Sequence, residues 1–214
     1  MMTVISTGLK APTRDRCLAS VACQLEVDFH HVYLDAGLQT PPLSHFQNLI
    51  NVIEALPDDR IVAAVDGDDW LAHPHALKTV QMAHLAGAWL TYGSFQFADG
   101  RPGFASAYLP DENPRTARWK ATHLKTFRAG LFKRIRHADL QLDGEFLPHG
   151  RDLAMMFPMI EMAGPRAVFI SDVLYVYNFS TSTEFTGDEA MRADEARMVK
   201  HVRALPPYER LSSL

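Results

Sequence analysis

Four short apolar runs, separated by stretches of helical periodicity, limit what this chain can fold into more than any other feature. "TVIST" (3–7), "HHVYLDAG" (30–37, ending as a strand at Asp35), "IVAAV" (61–65) and "AWLTY" (88–92) have the length and residue types of buried strands. Between them apolar side chains return at helical spacing. Leu18, Val21, Ala22 and Leu25 form one face; Phe46, Leu49, Ile50, Ile53 and Leu56 form another over about 42–56. Pro74 stands near the start of a third helix that turns Leu77, Val80 and Leu85 inward. Strand and helix in alternation predict right-handed crossovers and an α/β fold with a mostly parallel central sheet flanked by helices. Ligands on such sheets gather beyond the carboxyl ends of the strands. Asp35, after the second run, and Asp66, Asp68 and Asp69, after the third, fall at that edge.

Beyond residue 92 the rhythm is lost. Residues 93–119, rich in Pro, Gly and aromatics, predict a long ordered loop of the kind used as a lid or binding segment. Helices are predicted over about 123–133 and 151–163, the second closed by Gly164–Pro165. "AVFI" and "VLYVY" read as two late strands, antiparallel additions to the sheet, and 188–204 as a charged amphipathic helix with Met191, Ala196 and Val199 on its less polar side. Met155, Met156, Met159 and Met162 follow helical spacing and read as core. No repeat or linker divides the 214 residues, which suit one domain.

Composition removes several classes. With 47% apolar and 21% charged residues the chain is globular, and a net charge of -4 supplies no basic field for a nucleic-acid backbone. Cys17 and Cys23, six positions apart in one predicted helix, suit two separate buried thiols and a reducing, cytoplasmic setting. The N-terminus lacks the basic-then-apolar layout of a secretory signal and no run of 18 apolar residues occurs, so any membrane association is expected to be peripheral. Neither a G-x-x-x-x-G-K-[ST] loop nor a G-x-G-x-x-G fingerprint is present, which withdraws support from P-loop and dinucleotide-binding classes.

"AAVDGDDWLAHPHAL" (63–77) places three carboxylates within four positions. One acid can cap a helix, but three adjacent negative charges raise one another's pKa unless a cation relieves them. Oxygen ligands of this kind suit Mg²⁺ or Mn²⁺, with waters and substrate phosphates completing the shell. Thr7 and Arg14, at and beyond the first strand, are candidates for holding a nucleotide. His123, Lys125 and Arg128, around a predicted helix start, are cationic candidates for phosphates or an acceptor, with His123 the first to test.

In combination these segments resemble the family 2 glycosyltransferases with the GT-A fold. "VISTGLKAPTRDRCLASVACQ" is similar to the family's opening strand, loop and helix, "VYLDAG" to its second strand, and "VDGDDWLAHPHAL" to its D-x-D segment. "FRAGLFKRI" resembles the acceptor-side segment, "LPHGRDLAMMFPMIEMAG" the catalytic acidic motif and "DVLYVYNFSTST" the late strand and loop, so that residues 3–183 are covered. The resemblance implies that Asp35 contacts uracil, which favours UDP. It implies that Asp66 faces the ribose or the metal shell, that Asp68 binds metal and diphosphate, and that Asp69 supports the site or shares ligation. Asp152 inherits the role of general base. Arg151 stands where the family commonly has a first acid, and its fork of donors suits a diphosphate or an anionic acceptor.

The implied reaction is one-step inverting transfer of a sugar from a nucleotide-diphosphate donor to a saccharide or other hydroxyl acceptor, assisted by Mn²⁺ or Mg²⁺. Residues 1–97 would form the nucleotide-sugar and metal half, 98–183 the acceptor half and 184–214 a helical tail. Two alternatives use the same acids: a nucleotidyltransferase acting on a nucleoside triphosphate, and a nucleotide-sugar-binding module without turnover.

Overall fold

A computed structural model describes residues 1–8, 13–34, 45–181 and 188–214. Asp35, together with the expected start of the second helix at 42–44, lies outside the described residues. The order is β1 (Met2–Thr7), α1 (Arg14–Ala22), β2 (Phe29–Leu34), α2 (His45–Ala55), β3 (Ile61–Asp66), β4 (Trp70–Leu71), α3 (Ala76–Leu85) and β5 (Leu90–Phe97). There follow β6 (Lys125–Arg128), α4 (Ala129–Phe132), a small hairpin of β7 (Gln141–Leu142) and β8 (Glu145–Phe146), α5 (Arg151–Ala163), β9 (Ala167–Tyr177) and α6 (Glu189–Ala204).

Seven of these strands form one sheet in the order β2-β1-β3-β6-β5-β9-β4. β2, β1 and β3 are parallel neighbours, as are β5 and β9, while β6 runs against both β3 and β5 and β4 runs against β9. Five strands therefore share a direction and end at the same edge. Alternation along each strand divides the core between the two faces. On one side Ile5, Val62, Leu90, Tyr92 and Phe127 meet Phe46, Leu49, Ile50 and Ile53 of α2 and the methionines of α5. On the other, Met2, Val4, Ala63, Val65 and Phe95 meet Cys17 and Val21 of α1 and Leu77 and Val80 of α3.

Several expectations are corrected. α1 ends at Ala22, so Leu25 is exposed and the inward face is Cys17, Val21 and Gln24; Cys23, at the helix end, is exposed and only Cys17 is a buried thiol. In α3 the fourth buried position is His84, while Leu85 is 73% exposed. The fourth strand runs on to Phe97, taking five residues from the expected loop. "KTFR" is a strand, β6, where a helix was expected; cross-strand pairing to β3 and β5 overrides local preference. "AVFI" and "VLYVY" are one strand, β9, parallel to β5, with the register slipping between Gly93 and Phe95 so that Ser171 and Asp172 bulge outward. A Cβ on Gly93 would sit 2.7 Å from the Ile170 carbonyl oxygen, which explains glycine at that point. α6 turns Met198 and Val202 inward rather than Met191, which is exposed. The methionines of α5 are buried as expected.

The loop after β5 is strapped down. Arg115, 4% exposed, holds Glu161 of α5 through two hydrogen bonds of 2.6 and 3.0 Å and donates a third, of 2.7 Å, to the Val202 carbonyl of α6. Arg203 in turn donates to the carbonyls of Arg115 and Ala117. Among the described residues no helix is long and apolar enough to cross a membrane.

Candidate functional site

β1 and β3 deliver Thr7 and Asp66 side by side at the carboxyl edge of the sheet. The backbones then come very close: the Gly67 N–H donates to the Thr7 carbonyl at 2.6 Å, and a Cβ at Gly67 would collide with that same oxygen. Residues 66–69 form a tight turn, closed by the Asp69 N–H on the Asp66 carbonyl at 3.0 Å. None of the three acids caps α3, which begins seven residues after Asp69 and has no side-chain cap.

The late strand anchors the turn. Asp69 is fully buried; its Oδ1 accepts from the Asn178 N–H at 2.7 Å and its Oδ2 from the Tyr175 hydroxyl at 2.8 Å. The same hydroxyl accepts from the Asp66 N–H at 3.0 Å, and Asn178 Nδ2 donates to the Asp68 carbonyl. Tyr175, from the late strand, thus braces this end of the site. Burial, and after it the charges of Asp66 and Asp68, push the Asp69 carboxyl well above the usual carboxylate range. Tyr175 is raised too, by burial and by Asp69 and Asp66, and so remains a donor.

His123 is buried beside the turn, stacked on Tyr175 at 4.5 Å and Tyr177 at 5.3 Å between ring centroids. Its Nδ1 lies 3.9 Å from Asp66 Oδ2 and has no hydrogen-bond partner among the described residues. Burial, reinforced by the Lys125 charge, lowers its pKa to about 4, so the imidazole is neutral at pH 7 and offers a lone pair. One ligand atom each from Asp66, Asp69 and His123 lies within 4.8 Å of the others. Asp68, half-buried in the same turn, is not part of that convergence.

α5 brings the second half of the site. Gly150, in the left-handed region at φ 67°, caps the helix without a side chain, and Asp152 sits in its first turn. Asp152 reaches back to the sheet: its Oδ1 is 2.7 Å from Lys125 Nζ, and that ammonium is 3.9 Å from Asp66 Oδ2. The Lys125 side chain is 3% exposed, against 40% for Asp152 and 48% for Asp66. Burial works to raise the Asp152 pKa, but Lys125, with His123 and Arg151, outweighs it and leaves the carboxyl below its usual range. Lys125 is raised, since the attraction of Asp152 and Asp66 exceeds the penalty of burial.

The structure thus gathers Thr7, Asp66, Asp68, Asp69, His123 and Asp152 at one end of the sheet, through Lys125 and Tyr175. Arg14 opens α1, with its guanidinium 5.8 Å from the Tyr33 ring centre and Nε 3.7 Å from Asp15. Arg151 is exposed at the first position of α5. Trp70 packs behind the turn under Arg16, whose guanidinium carbon is 3.5 Å from the ring centre. Sequence reasoning grouped Lys125 with its charged neighbours on a helix; the signal it lacked was the strand, which points residues 125 and 127 to one face.

No protein-family model matches the sequence, and no curated protein is significantly similar to it. The likeness is in the fold. S. aureus TarS 1–349 in complex with UDP-GlcNAc matches with a TM-score of 0.59 at 15% identity, over 94% of this chain and 70% of that one. A longer S. aureus TarS structure matches with a TM-score of 0.56 at 15% identity, over 92% of this chain and 41% of its own length. The mannosyltransferase PcManGT from Pyrobaculum calidifontis, in complex with GDP-Man and Mn²⁺, gives a TM-score of 0.57 at 16% identity over 96% of this chain and 65% of its own. The chain has the GT-A-like glycosyltransferase fold, a mixed α/β architecture with a mostly parallel central sheet flanked by helices.

Proposed function

We propose that this chain is an inverting family 2 glycosyltransferase that moves a sugar from a nucleotide-diphosphate donor, a UDP-sugar by preference, to a hydroxyl acceptor such as a saccharide. One observation carries the reading: an acidic turn and an ion-paired carboxylate face each other across Lys125, in a fold shared with proteins determined with UDP-GlcNAc and with GDP-Man and Mn²⁺. In this reading residues 1–97 form the donor half, 98–183 the acceptor half and 184–214 a helical tail. The proposed location is cytoplasmic, at most peripheral to a membrane.

The donor set fits a hard divalent cation. His123 carries a buried nitrogen without a partner, and Asp69 is held among acids whose charge an ion would relieve. Asp66, Asp69 and His123, whose ligand atoms converge, joined by Asp68 on the strength of the family resemblance, would hold Mn²⁺ or Mg²⁺, which when bound stabilises negative charge on a diphosphate leaving group. Asp69 keeps free lone pairs beside its two accepted hydrogen bonds. Thr7, Arg14 and Arg151 are assigned to the nucleotide and phosphates, and Asp35 to uracil by family resemblance. Asp152 takes the acceptor hydroxyl proton as the acceptor oxygen bonds to the anomeric carbon and the electron pair of the broken C–O bond passes to the diphosphate. Its oxygen opposite Lys125 is the one available for that proton.

Thermal shifts with UDP-glucose, UDP-GlcNAc, GDP-mannose and dTDP sugars, with and without Mn²⁺, test the donor class. A Mn²⁺-dependent shift with one of them, removed by Asp68→Asn, is expected. Asp152→Asn should keep donor binding and lose about 10²–10⁴-fold in turnover, the range for general-base catalysis. Near-normal turnover in that variant, or a response to nucleoside triphosphates alone, would overturn the reading.

A further inference from the structure

Lys125 is costly where it stands. It lies opposite Ala64 in the antiparallel pair of β3 and β6, and shares its face with Phe127 and, across the strand, Val62. An apolar side chain would fill such a position, and because Asp152 and Asp66 are 40% and 48% exposed, removing the ammonium leaves no carboxylate cut off from water. Stability therefore does not account for an ammonium here. Nor does Lys125 tie distant segments together with several backbone contacts, as Arg115 does. What it does touch is specific: Asp152 at 2.7 Å on one side and Asp66 at 3.9 Å on the other.

We propose that Lys125 is a positioning residue for the transfer reaction, fixing the Asp152 carboxylate against the donor-side acids so that one oxygen faces the acceptor. The role rests on the proposed glycosyl transfer. With Oδ1 engaged by Lys125, the other oxygen has no hydrogen-bond partner among the described residues, and the side chain is 40% exposed. A carboxylate on the first turn of a helix has several rotamers and solvent to choose from; the ammonium, held on a sheet strand, selects one. The orientation carries a cost, because an ion-paired carboxylate is a weaker base. Misplacing a reacting group by about 1 Å can lower a rate about 10²-fold, so orientation outweighs the basicity that removing Lys125 would restore.

The test uses wild type, Lys125→Met, Asp152→Asn and the double variant. Each is assayed with Mn²⁺ and whichever sugar nucleotide gives the largest Mn²⁺-dependent thermal shift, with hydrolysis of that nucleotide as the readout. The matching nucleoside diphosphate is titrated calorimetrically. Lys125→Met should lower kcat about 100-fold and leave KM and the diphosphate Kd within about 3-fold. The double variant should be no slower than Asp152→Asn alone, because Lys125 acts only through Asp152. Should Lys125→Met not fold, Lys125→Gln carries the same comparison. A diphosphate Kd weakened in step with turnover would overturn the role and make Lys125 a phosphate contact; losses that multiply in the double variant would overturn it as well. If wild type hydrolyses the sugar nucleotide and Lys125→Met matches it, only the role of Lys125 falls. A wild type that neither binds nor hydrolyses any sugar nucleotide overturns the transferase function, and this role with it.

Discussion

Two buried cations, Arg115 and Lys125, are both 3% exposed at the side chain, yet one is sealed and the other open. Arg115 meets a Glu161 side chain that is 8% exposed, through a two-pronged contact, and spends a further donor on a backbone carbonyl. Lys125 meets two carboxylates that are 40% and 48% exposed, one close and one distant. The sealed pair joins the loop after β5 to α5 and α6. The open pair joins Asp66, in the acidic turn, to a carboxylate on α5 that still faces solvent. The same pairing of charges restrains the chain where it is closed off and leaves a carboxylate accessible where it is not.

The largest effect should come from the sealed pair. Arg115→Met leaves the Glu161 carboxylate buried without its partner, and breaking a buried pair in this way costs about 3–5 kcal/mol. Lys125→Met leaves carboxylates that water already reaches, and should cost about 1 kcal/mol or less by the same reasoning. Urea unfolding of the two variants makes the comparison directly. Equal losses would mean that Lys125 is as structural as Arg115, and would remove the distinction.

Much of this architecture is legible along the chain and some of it is not, for physical reasons. β1, β3 and the start of β5 are apolar runs with a local signature, and α5 shows its methionines at helical spacing. β6 is four residues with a charge at each end, made a strand by its neighbours β3 and β5. β9 reads as two strands because Ser171 and Asp172, polar and exposed at the bulge, look like a turn. The acidic turn is plain from composition alone. Asp152, by contrast, looks like ordinary helix-start chemistry, and only the family resemblance singles it out. Its partner Lys125 lies 27 positions away, and no local pattern connects them. Tyr175 and Asn178 lie more than 100 residues beyond the turn they anchor, and no local pattern pairs them with it.

A third buried nitrogen base sharpens the contrast by staying neutral. His84 is 1% exposed; its Nε2 lies 2.8 Å from the Thr126 hydroxyl and its Nδ1 3.1 Å from the Ala88 carbonyl, so the ring is satisfied without a charge. Burial lowers its pKa from 6.5 to about 4. Between those values the unfolded chain binds a proton that the folded one refuses, so stability falls as pH drops from about 6.5 towards 4. The loss attributable to His84 is roughly 3 kcal/mol across that window. His84→Gln, compared with wild type by urea unfolding at several pH values, should flatten the curve by about that amount. An unchanged slope would mean that His84 binds its proton as readily in the folded chain as in the unfolded one.

The hydroxyl that holds the acidic turn in front of the open pair gives the last comparison. Tyr175→Phe keeps the ring under His123 but removes the oxygen that donates to Asp69 and accepts from the Asp66 N–H. Leaving such groups unsatisfied costs about 1–3 kcal/mol, and Asp69, fully buried, cannot turn to water for a replacement. The consequence for binding should exceed the consequence for folding. The turn would lose the contact that sets Asp66 and Asp69 within reach of His123, so Mn²⁺-dependent stabilisation by a sugar nucleotide should shrink while Arg115 and the loop it straps are untouched. Measured together, the melting temperature with EDTA and the Mn²⁺-dependent shift decide the matter. If both fall in proportion, Tyr175 belongs with the scaffold; if the shift falls further, the late strand of the sheet is part of the donor site.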